Sequence, residues 1–268
     1  MSAIDHFSYG WLTPALAYLM SSAGSMLGLL LTSRARLMSV REARWWLVGA
    51  AVSIGGTGIW VMHFIAMMGF DVAGTAIRYD VPLTIGSAVL AVLVVGAGLF
   101  LVGHGGTRAA YLLPGGALAG LGVAGMHYLG MHAMNMSAHV SYDPLVVGLS
   151  VAIAVVAATV ALWFTVRVRG ALAIGGAALI MGVAVCGMHY TGMFAMSVHL
   201  LSEPAVLHGA RAIDFLLPLI VGISMITVGL LLTVLLSPSE KELRGDEEFR
   251  ARLARRDDGR ESGNLFQA

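Results

Sequence analysis

Histidine and methionine recur together at a fixed spacing in three places along the chain. The fullest copy reads MHYTGMFAM from position 188, a second reads MHYLGMHAM from position 126, and a shorter MHFIAM begins at position 62. The histidines, His63, His127 and His189, are 64 and 62 residues apart. Repetition at such a period predicts repeated structural units that bring the three copies together.

Helical geometry places each histidine on one stripe with methionine. At about 100° per residue, the methionine four positions later is offset by about 40° and the residue seven positions later by about −20°. The stripes are His63, Met67 and Phe70; His127, Met131 and Met134; and His189, Met193 and Met196. The residues four and seven positions earlier fall on the same face: Ile59, Val123 and Val185, and Gly56, Gly120 and Gly182. Because small residues allow close helix approach in membranes, these glycines predict that the three helices pack on one another through this face.

Imidazole with thioether is a ligand set that favours copper over hard cations, which prefer oxygen. We therefore predict a copper site formed by His63, Met67, His127, Met131, His189 and Met193. Further ligands or close neighbours are expected among Met62, Met126, Met188, Met134, Met196, Tyr128 and Tyr190. Zinc and haem are the alternative cofactors. The competing interpretation is structural: a buried histidine bonded to a neighbouring helix, and methionines that only pack.

Other reactive side chains fit the pattern less well. Cys186 lies on the face of His189, but its counterparts are Trp60 and Ala124, which favours a buried structural thiol. His132 lies about 140° from the stripe and has no histidine counterpart. Histidines near span ends, such as His139 and His199, offer a route for metal capture from outside. Tyr128 and Tyr190 follow their histidines and are candidates for a hydrogen bond to a ligand of the metal.

Composition shows which solvent surrounds these residues. The chain is 58% hydrophobic and 12% charged, with a mean hydropathy of +0.83, far from the average of soluble domains. Seven stretches have the length of about 20 apolar residues that a membrane span needs. They are residues 11–32, 46–69, 82–103, 111–134, 145–166, 171–196 and 213–236. A net charge of +1 argues against a nucleic-acid partner and leaves membrane lipid as the surrounding partner.

Basic residues predict the orientation of the spans. The loops after spans one, three and five carry seven arginines, among them Arg41 and Arg44, whereas the opposite side has Arg78 and Arg211. By the positive-inside bias, the N-terminus lies outside and the C-terminus in the cytoplasm of a multi-pass bacterial inner-membrane protein.

The fold predicted is all-α, a seven-transmembrane bundle of three parallel two-helix repeats plus a seventh helix. The membrane domain covers residues 1–236, with units at about 11–70, 82–134 and 145–196 and a last helix at 213–236. Residues 237–268 mix seven basic and eight acidic residues. This composition predicts a disordered cytoplasmic tail, with a short helix at 240–256 as the alternative.

The phrases Met188-His189-Tyr190-Thr191, Met126-His127-Tyr128 and Met62-His63-Phe64, spaced through seven spans, resemble the bacterial MHYT family of integral membrane sensor domains. The resemblance covers about residues 10–236. It implies a copper site near the outer face and a role in sensing oxygen, carbon monoxide or nitric oxide. Many members continue into a cytoplasmic cyclic di-GMP module. This sequence ends after its charged segment, so we expect signalling through a separate partner.

Two other functions remain open from the sequence. A copper transporter or copper-handling protein would use the methionines as a relay, although the stripe below the histidines is apolar. A membrane oxidoreductase would use histidine and methionine as haem or metal ligands. The sequence shows no nucleophile motif or nucleotide loop, so we do not expect an enzyme.

Overall fold

The computed structural model describes residues 4–202, 206–237 and 249. Seven helices are long and apolar enough to cross a membrane. They are α1 (Leu12–Ala35), α2 (Val40–Met68), α3 (Val81–Gly105), α4 (Ala109–His132), α5 (Pro144–Arg167), α6 (Ala171–Phe194) and α7 (Ala212–Leu236). The predicted seven-helix membrane bundle is thereby confirmed, and the chain is a multi-pass membrane protein.

The chain divides into two compact units, Met1–Leu231 and Leu232–Ala268. In the second, the described residues are the last turn of α7, Ser237 and Phe249. The predicted charged tail otherwise lies outside the described residues, and so does its alternative helix.

Capping residues set the starts of several helices. Asp80 and Asp143 precede α3 and α5, and each carboxylate accepts a backbone hydrogen bond, from Leu83 at 2.9 Å and Leu145 at 2.8 Å. Such caps satisfy amide groups that have no partner within the helix.

Helix α2 begins at Val40, six residues before the predicted span. Ser39 donates to the Glu42 carboxylate from its backbone nitrogen at 3.3 Å and from its hydroxyl at 2.7 Å. Arg41 and Arg44, expected in a loop, therefore lie in the first turns of α2. The local cap extends the helix beyond the apolar stretch that hydropathy detects.

Three short antiparallel ribbons lie outside the helices. The strands are β1 (Ile4–Asp5), β2 (Asp71–Val72), β3 (Arg78–Tyr79), β4 (Met134–Asn135), β5 (Ala138–Tyr142) and β6 (Met196–Leu200). β1 pairs with β2, β3 with β4 and β5 with β6. Each ribbon joins the chain before one helix pair to the chain after it.

An equivalent backbone hydrogen bond recurs beside each ribbon. Its acceptor carbonyl belongs to the residue six positions after the histidine of the repeated phrase. Ser8 donates to Gly69 at 2.9 Å, Asp80 to Ala133 at 2.8 Å and Asp143 to Ala195 at 2.8 Å. The three helix pairs are therefore closed in the same way.

The ribbons correct two sequence predictions. Met134 and Met196 were expected on the last turns of helices, but the helices end at His132 and Phe194 and both methionines lie in strands. The chain must leave the helix there to pair its backbone with the strand that precedes the same helix pair. The fold remains the predicted all-α bundle, to which these short ribbons are added.

The first six helices form a closed ring. α1 packs against α2 and α6, α3 lies between α2 and α4, and α5 lies between α4 and α6. α7 contacts α2, where the hydroxyls of Thr57 and Thr227 are in hydrogen-bond contact. This arrangement lets the even-numbered helices α2, α4 and α6 approach one another at the histidines.

The predicted glycine contacts between the even-numbered helices are wrong. A Cβ atom at Gly120 would meet the backbone of Val155 on α5, and one at Gly182 would meet Ser22 on α1. Gly56 faces Ile223 on α7 and Val92 on α3. Close backbone approach is needed between neighbours in the ring, whereas the even-numbered helices meet mainly through side chains.

The middle of α2 is π-helical, from Val52 to Val61. π-Helical turns are rare and concentrate at functional sites. This segment contains Gly55, Gly56 and Gly58, and its Ser53 hydroxyl donates to the carbonyl of Gly24 on α1 at 2.8 Å. The α-helical phase assumed for Gly56 therefore does not apply, because a π-helix has more residues in each turn.

Candidate metal centre

The three histidines of the repeated phrases meet inside the helical ring. His63, His127 and His189 are buried, with at most 1% of each residue exposed. The Nδ1 atom of His63 lies 3.0 Å from that of His189 and 3.1 Å from that of His127, and the last two are 3.3 Å apart. The three nitrogens thus form a nearly equilateral triangle.

The rings are arranged like the blades of a propeller. Their centroids are 4.9 to 5.0 Å apart, and their planes cross at 84° to 88°. Each helix therefore contributes one equivalent ring, which is the result expected of three similar units around a common axis.

The triangle has the dimensions of a metal site. Three nitrogens at about 2.0–2.1 Å from an ion, in tetrahedral directions, lie about 3.3 Å from one another. The observed Nδ1 separations of 3.0 to 3.3 Å fit this spacing. A tetrahedral ion held by three ligands keeps a fourth position for another ligand. The triad can therefore hold a metal ion, and all three of its ligand atoms are nitrogen.

The outer nitrogens of the rings support the same conclusion. The Nε2 atoms of His63 and His127 are buried and have no hydrogen-bond partner in the described parts of the chain. A neutral imidazole carries one proton, and with that proton on Nε2 its Nδ1 presents a lone pair to the centre. With all three rings in that tautomer, the lone pairs converge on a position that one cation can occupy, whereas a ring protonated on Nδ1 instead donates a hydrogen bond to its neighbour.

Two glycines make room for these rings. Gly130 and Gly192 each lie three residues after a histidine of the phrase. A Cβ atom at position 130 would meet Nε2 of His63, and one at position 192 would meet Nε2 of His127. The His63 and His127 rings therefore each pack against the helix of the next unit. Sequence reasoning missed this role, although the signal was present as a glycine at the same place in two of the phrases.

The methionines predicted as ligands are buried beside the histidines in sequence. Met67, Met131 and Met193 have 1% to 2% of each residue exposed, and so do Met62, Met126 and Met188. Met134 and Met196 are also buried, in the strands rather than on the helical stripe. All eight remain candidate neighbours of the metal.

The tyrosines of the phrases differ from each other. The Tyr128 hydroxyl is 2.5 Å from the Ser150 hydroxyl on α5, so it is engaged with a neighbouring helix. The Tyr190 hydroxyl is buried without a hydrogen-bond partner within the described residues, and its ring lies 5.0 Å from that of His189. Tyr190 is therefore the better candidate to contact a ligand at the metal.

The remaining candidates lie elsewhere. Cys186 is partly buried and packs against a cluster of Ala17, Met62 and Ala66. His132 is exposed. His139 and His199 are exposed and directly opposite each other in the β5–β6 ribbon, a pairing that sequence reasoning did not predict.

Aromatic side chains cover the end of the helical ring that carries the ribbons. The His6 ring lies 4.9 Å from that of Phe194 and 5.6 Å from that of Phe70. Phe7 contacts Tyr190, with ring centroids 5.6 Å apart. Partial burial lowers the pKa of His6, and the charge of Asp5 opposes this shift. The neutral form of the His6 imidazole is therefore favoured among these aromatic side chains.

No charged side chain is buried near the triad in the described part of the chain. The buried polar residues there are serine, threonine and histidine. A metal ion in this centre would therefore have nitrogen ligands without a carboxylate to neutralise it.

The fold and this centre define a seven-helix membrane protein whose histidine triad lies inside the ring of the first six helices. The sequence profile described as "MHYT: Bacterial signalling protein N terminal repeat" matches residues 56–115 and 120–177. The chain belongs to this family of membrane signalling proteins, in which the MHYT region is the sensor domain.

Relatives with assigned names are longer signalling proteins. MucR of Pseudomonas aeruginosa, a bifunctional diguanylate cyclase/cyclic di-GMP phosphodiesterase, is 38% identical over 85% of this chain and 34% of its own length. The signaling protein YkoW of Bacillus subtilis is 30% identical over 72% of this chain and 25% of its own length. NbdA of P. aeruginosa, a cyclic di-GMP phosphodiesterase, is 34% identical over 71% of this chain and 24% of its own length.

The chain thus spans between about a quarter and about a third of the length of these relatives, and the match covers their MHYT sensor region. Their names imply that the sensor works with an output domain or a signalling partner. No solved structure matches the chain significantly.

Proposed function

We propose that this protein is a copper-binding membrane sensor of a diatomic gas or of redox state, and that it signals through a separate partner. The observation that carries the proposal is the buried triangle of Nδ1 atoms from His63, His127 and His189. Bound copper would supply an open coordination position for oxygen, carbon monoxide or nitric oxide and a one-electron redox change.

Electrostatics favours a monovalent ion in this centre. The cost of transferring an ion from water to a medium of low polarity rises with the square of its charge. Three neutral imidazoles donate electron pairs but add no negative charge, and the described residues place no carboxylate there. Cu(I) therefore costs less to bury than Zn²⁺.

The soft sulfur atoms near the histidines point to the same metal. Thioethers select Cu(I), whereas zinc sites are built from thiolate, imidazole and carboxylate. We propose that Met67, Met131 and Met193 serve as weak ligands or surround the ion, with Met62, Met126 and Met188 close by. Their burial supports this role because it keeps water from the site.

The geometry of the triad favours a copper sensor over a haem protein or a metal transporter. A haem between two axial histidines would separate their nitrogens by about 4 Å, twice a metal–nitrogen bond, and would need space for a porphyrin. The Nδ1 separations of 3.0 to 3.3 Å are shorter than this distance and leave no space for a porphyrin between the rings. Transport would need ligands toward the opposite side, but Ile59, Val123 and Val185 line an apolar cavity.

The signal would pass through the helices that carry the histidines. The imidazoles connect α2, α4 and α6, so a change in their spacing changes the packing of these helices against the outer ones. A ligand shifts this packing only if it binds one arrangement more tightly than another. We propose that the partner belongs to cyclic di-GMP turnover, as the names of MucR and NbdA suggest.

The proposal is tested by metal analysis of detergent-purified protein. We expect one copper ion per chain, and its loss when His63, His127 and His189 are all replaced by alanine. His132→Ala is the matched control, because His132 is exposed and belongs to the second phrase. It should retain the copper.

Three results would contradict the copper site. They are equal copper in the triple variant, zinc in place of copper after expression with both metals, and a Soret band in the purified protein. Failure of carbon monoxide or nitric oxide to change the spectrum of the copper-loaded protein would contradict gas sensing alone.

A further inference from the structure

An apolar cavity lies one helical turn from the histidine triad, on the side away from the ribbons. Its volume is about 50 Å³. It is lined by the residues that precede each histidine by four positions, Ile59, Val123 and Val185, and by Met188, which is adjacent to His189. The cavity is therefore shared by the three helices that carry the triad.

The cavity suits a small apolar molecule better than water. A buried water needs two to four polar partners, whereas apolar cavities stay dry and bind guests such as xenon. Among the described residues that line it, Ser25 has the only hydroxyl. Ser25 is 1% exposed, and its hydroxyl has no hydrogen-bond partner in the described residues. One weak donor in an apolar wall matches a diatomic molecule of low polarity.

A groove on the lipid-facing side of the helical ring adjoins this cavity. The groove lies between α5 and α6 and has a volume of about 400 Å³. Its walls are apolar and include exposed residues such as Val156 and Ile180. Ala157, Met181 and Ala184 line both the groove and the cavity. The two spaces therefore share part of their lining.

We propose that the groove and the cavity form a lateral route from the bilayer core to the histidine triad for small apolar gases. Such gases dissolve better in hydrocarbon than in water, so a route from the lipid gives them a higher local concentration than one through the aromatic cover. The cavity holds the gas beside the triad, with Ser25 as a hydrogen-bond donor. The delivery step rests on the proposed gas-sensing function, whereas the binding of a gas in the cavity does not.

The first test uses xenon and metal-free protein, so that it is independent of the metal. Crystals of the protein pressurised with xenon should show a xenon atom between Val123, Ala157 and Val185. Ala157→Phe should remove this atom by filling the passage. Ala173→Phe is the matched control, since Ala173 is exposed on α6 and lines none of these spaces. It should keep the xenon.

A second variant covers the case in which Ala157→Phe fails to fold. Ala184→Leu adds less volume at the other wall of the passage and should also weaken xenon binding. Xenon absent from the unmodified protein, or unchanged in a folded Ala157→Phe or Ala184→Leu protein, would overturn the proposed route. Water found in the cavity with several hydrogen bonds would overturn its preference for gases.

The kinetic test uses copper-loaded protein in lipid nanodiscs and carbon monoxide. We expect Ala157→Phe to slow association about tenfold, a rise in the barrier of about 1.4 kcal/mol, and to change the equilibrium affinity little. An unchanged association rate would overturn delivery along this route. If the copper-loaded protein binds no carbon monoxide while xenon still occupies the cavity, gas sensing fails but the cavity site stands.

Discussion

At the scale of residues, the arrangement of the triad depends on what lies behind each imidazole. His63 packs against Gly130 of the second phrase, and His127 packs against Gly192 of the third. Ala66 is the residue at the same position of the first phrase. The two glycines therefore allow the His63 and His127 rings to reach the centre with their Nδ1 atoms.

We expect Gly192→Ala to weaken metal binding while leaving the protein folded. The added Cβ would displace the His127 ring and move its Nδ1 from the triangle. Loss of ligand positioning typically lowers metal affinity about 10–100-fold. Competition titration against a copper chelator measures the change.

Gly187→Ala on the same helix is the control for this substitution. A Cβ atom at position 187 meets nothing within 4 Å, and alanine is the better helix former. Equal affinities of the two variants would show that the glycine does not position the ring.

At the scale of elements, the π-helical segment of α2 is held by its neighbours. The backbone of Gly24 on α1 lies against Gly58, and Ser53 donates to the Gly24 carbonyl. On the other side, Trp60 Nε1 donates to the Ser87 hydroxyl of α3 at 2.9 Å. The α2 residues that make these contacts come shortly before His63 in the chain. The contacts therefore link the path of α2 to the position of the His63 imidazole.

We predict that Gly24→Ala destabilises the protein. A Cβ atom there would overlap the backbone of Gly58 and the carbonyl of Ser53, neither of which can move as a flexible side chain can. Overpacking of this kind costs about 1–3 kcal/mol. Thermal unfolding in detergent should show a lower midpoint.

The matched control is Gly175→Ala on α6, where a new Cβ meets nothing within 4 Å. Its midpoint should be equal or higher, because alanine favours helix by about 1 kcal/mol over glycine. A midpoint for Gly24→Ala that equals this control would refute the proposed backbone contact.

At the scale of the whole molecule, the three ribbons and the three helix connections without ribbons occupy opposite ends of the bundle. Arginines collect at the second end, including Arg36, which donates to the carbonyls of Thr165 at 2.5 Å and Val168 at 2.9 Å. By the positive-inside bias, we expect that end in the cytoplasm and the ribbons outside. The histidine triad then lies nearer the outer face.

This orientation is tested by cysteine labelling in intact cells. In a Cys186→Ala background, Ser141→Cys in β5 should react with a membrane-impermeant thiol reagent added outside. Ala171→Cys at the start of α6 should react only after the cells are opened. Both positions are exposed. The reverse pattern would place the triad near the cytoplasmic face.

Much of this architecture is readable from the sequence because it depends on local properties. Span length follows from apolar runs, and the observed helices begin and end within a few residues of most predicted spans. The common phase of His63, His127 and His189 follows from the repeat. These features need only the size of a helical turn and the thickness of a membrane.

Only the tertiary structure decided how the repeated phrases meet. Whether Nδ1 or Nε2 faces the centre depends on the side-chain rotation that Gly130 and Gly192 allow across a helix contact. The π-helical phase of α2 depends on backbone packing against Gly24, and the strand at Met196 depends on pairing with Tyr142. Such contacts join residues far apart in the chain, so no local pattern of polarity or spacing contains them.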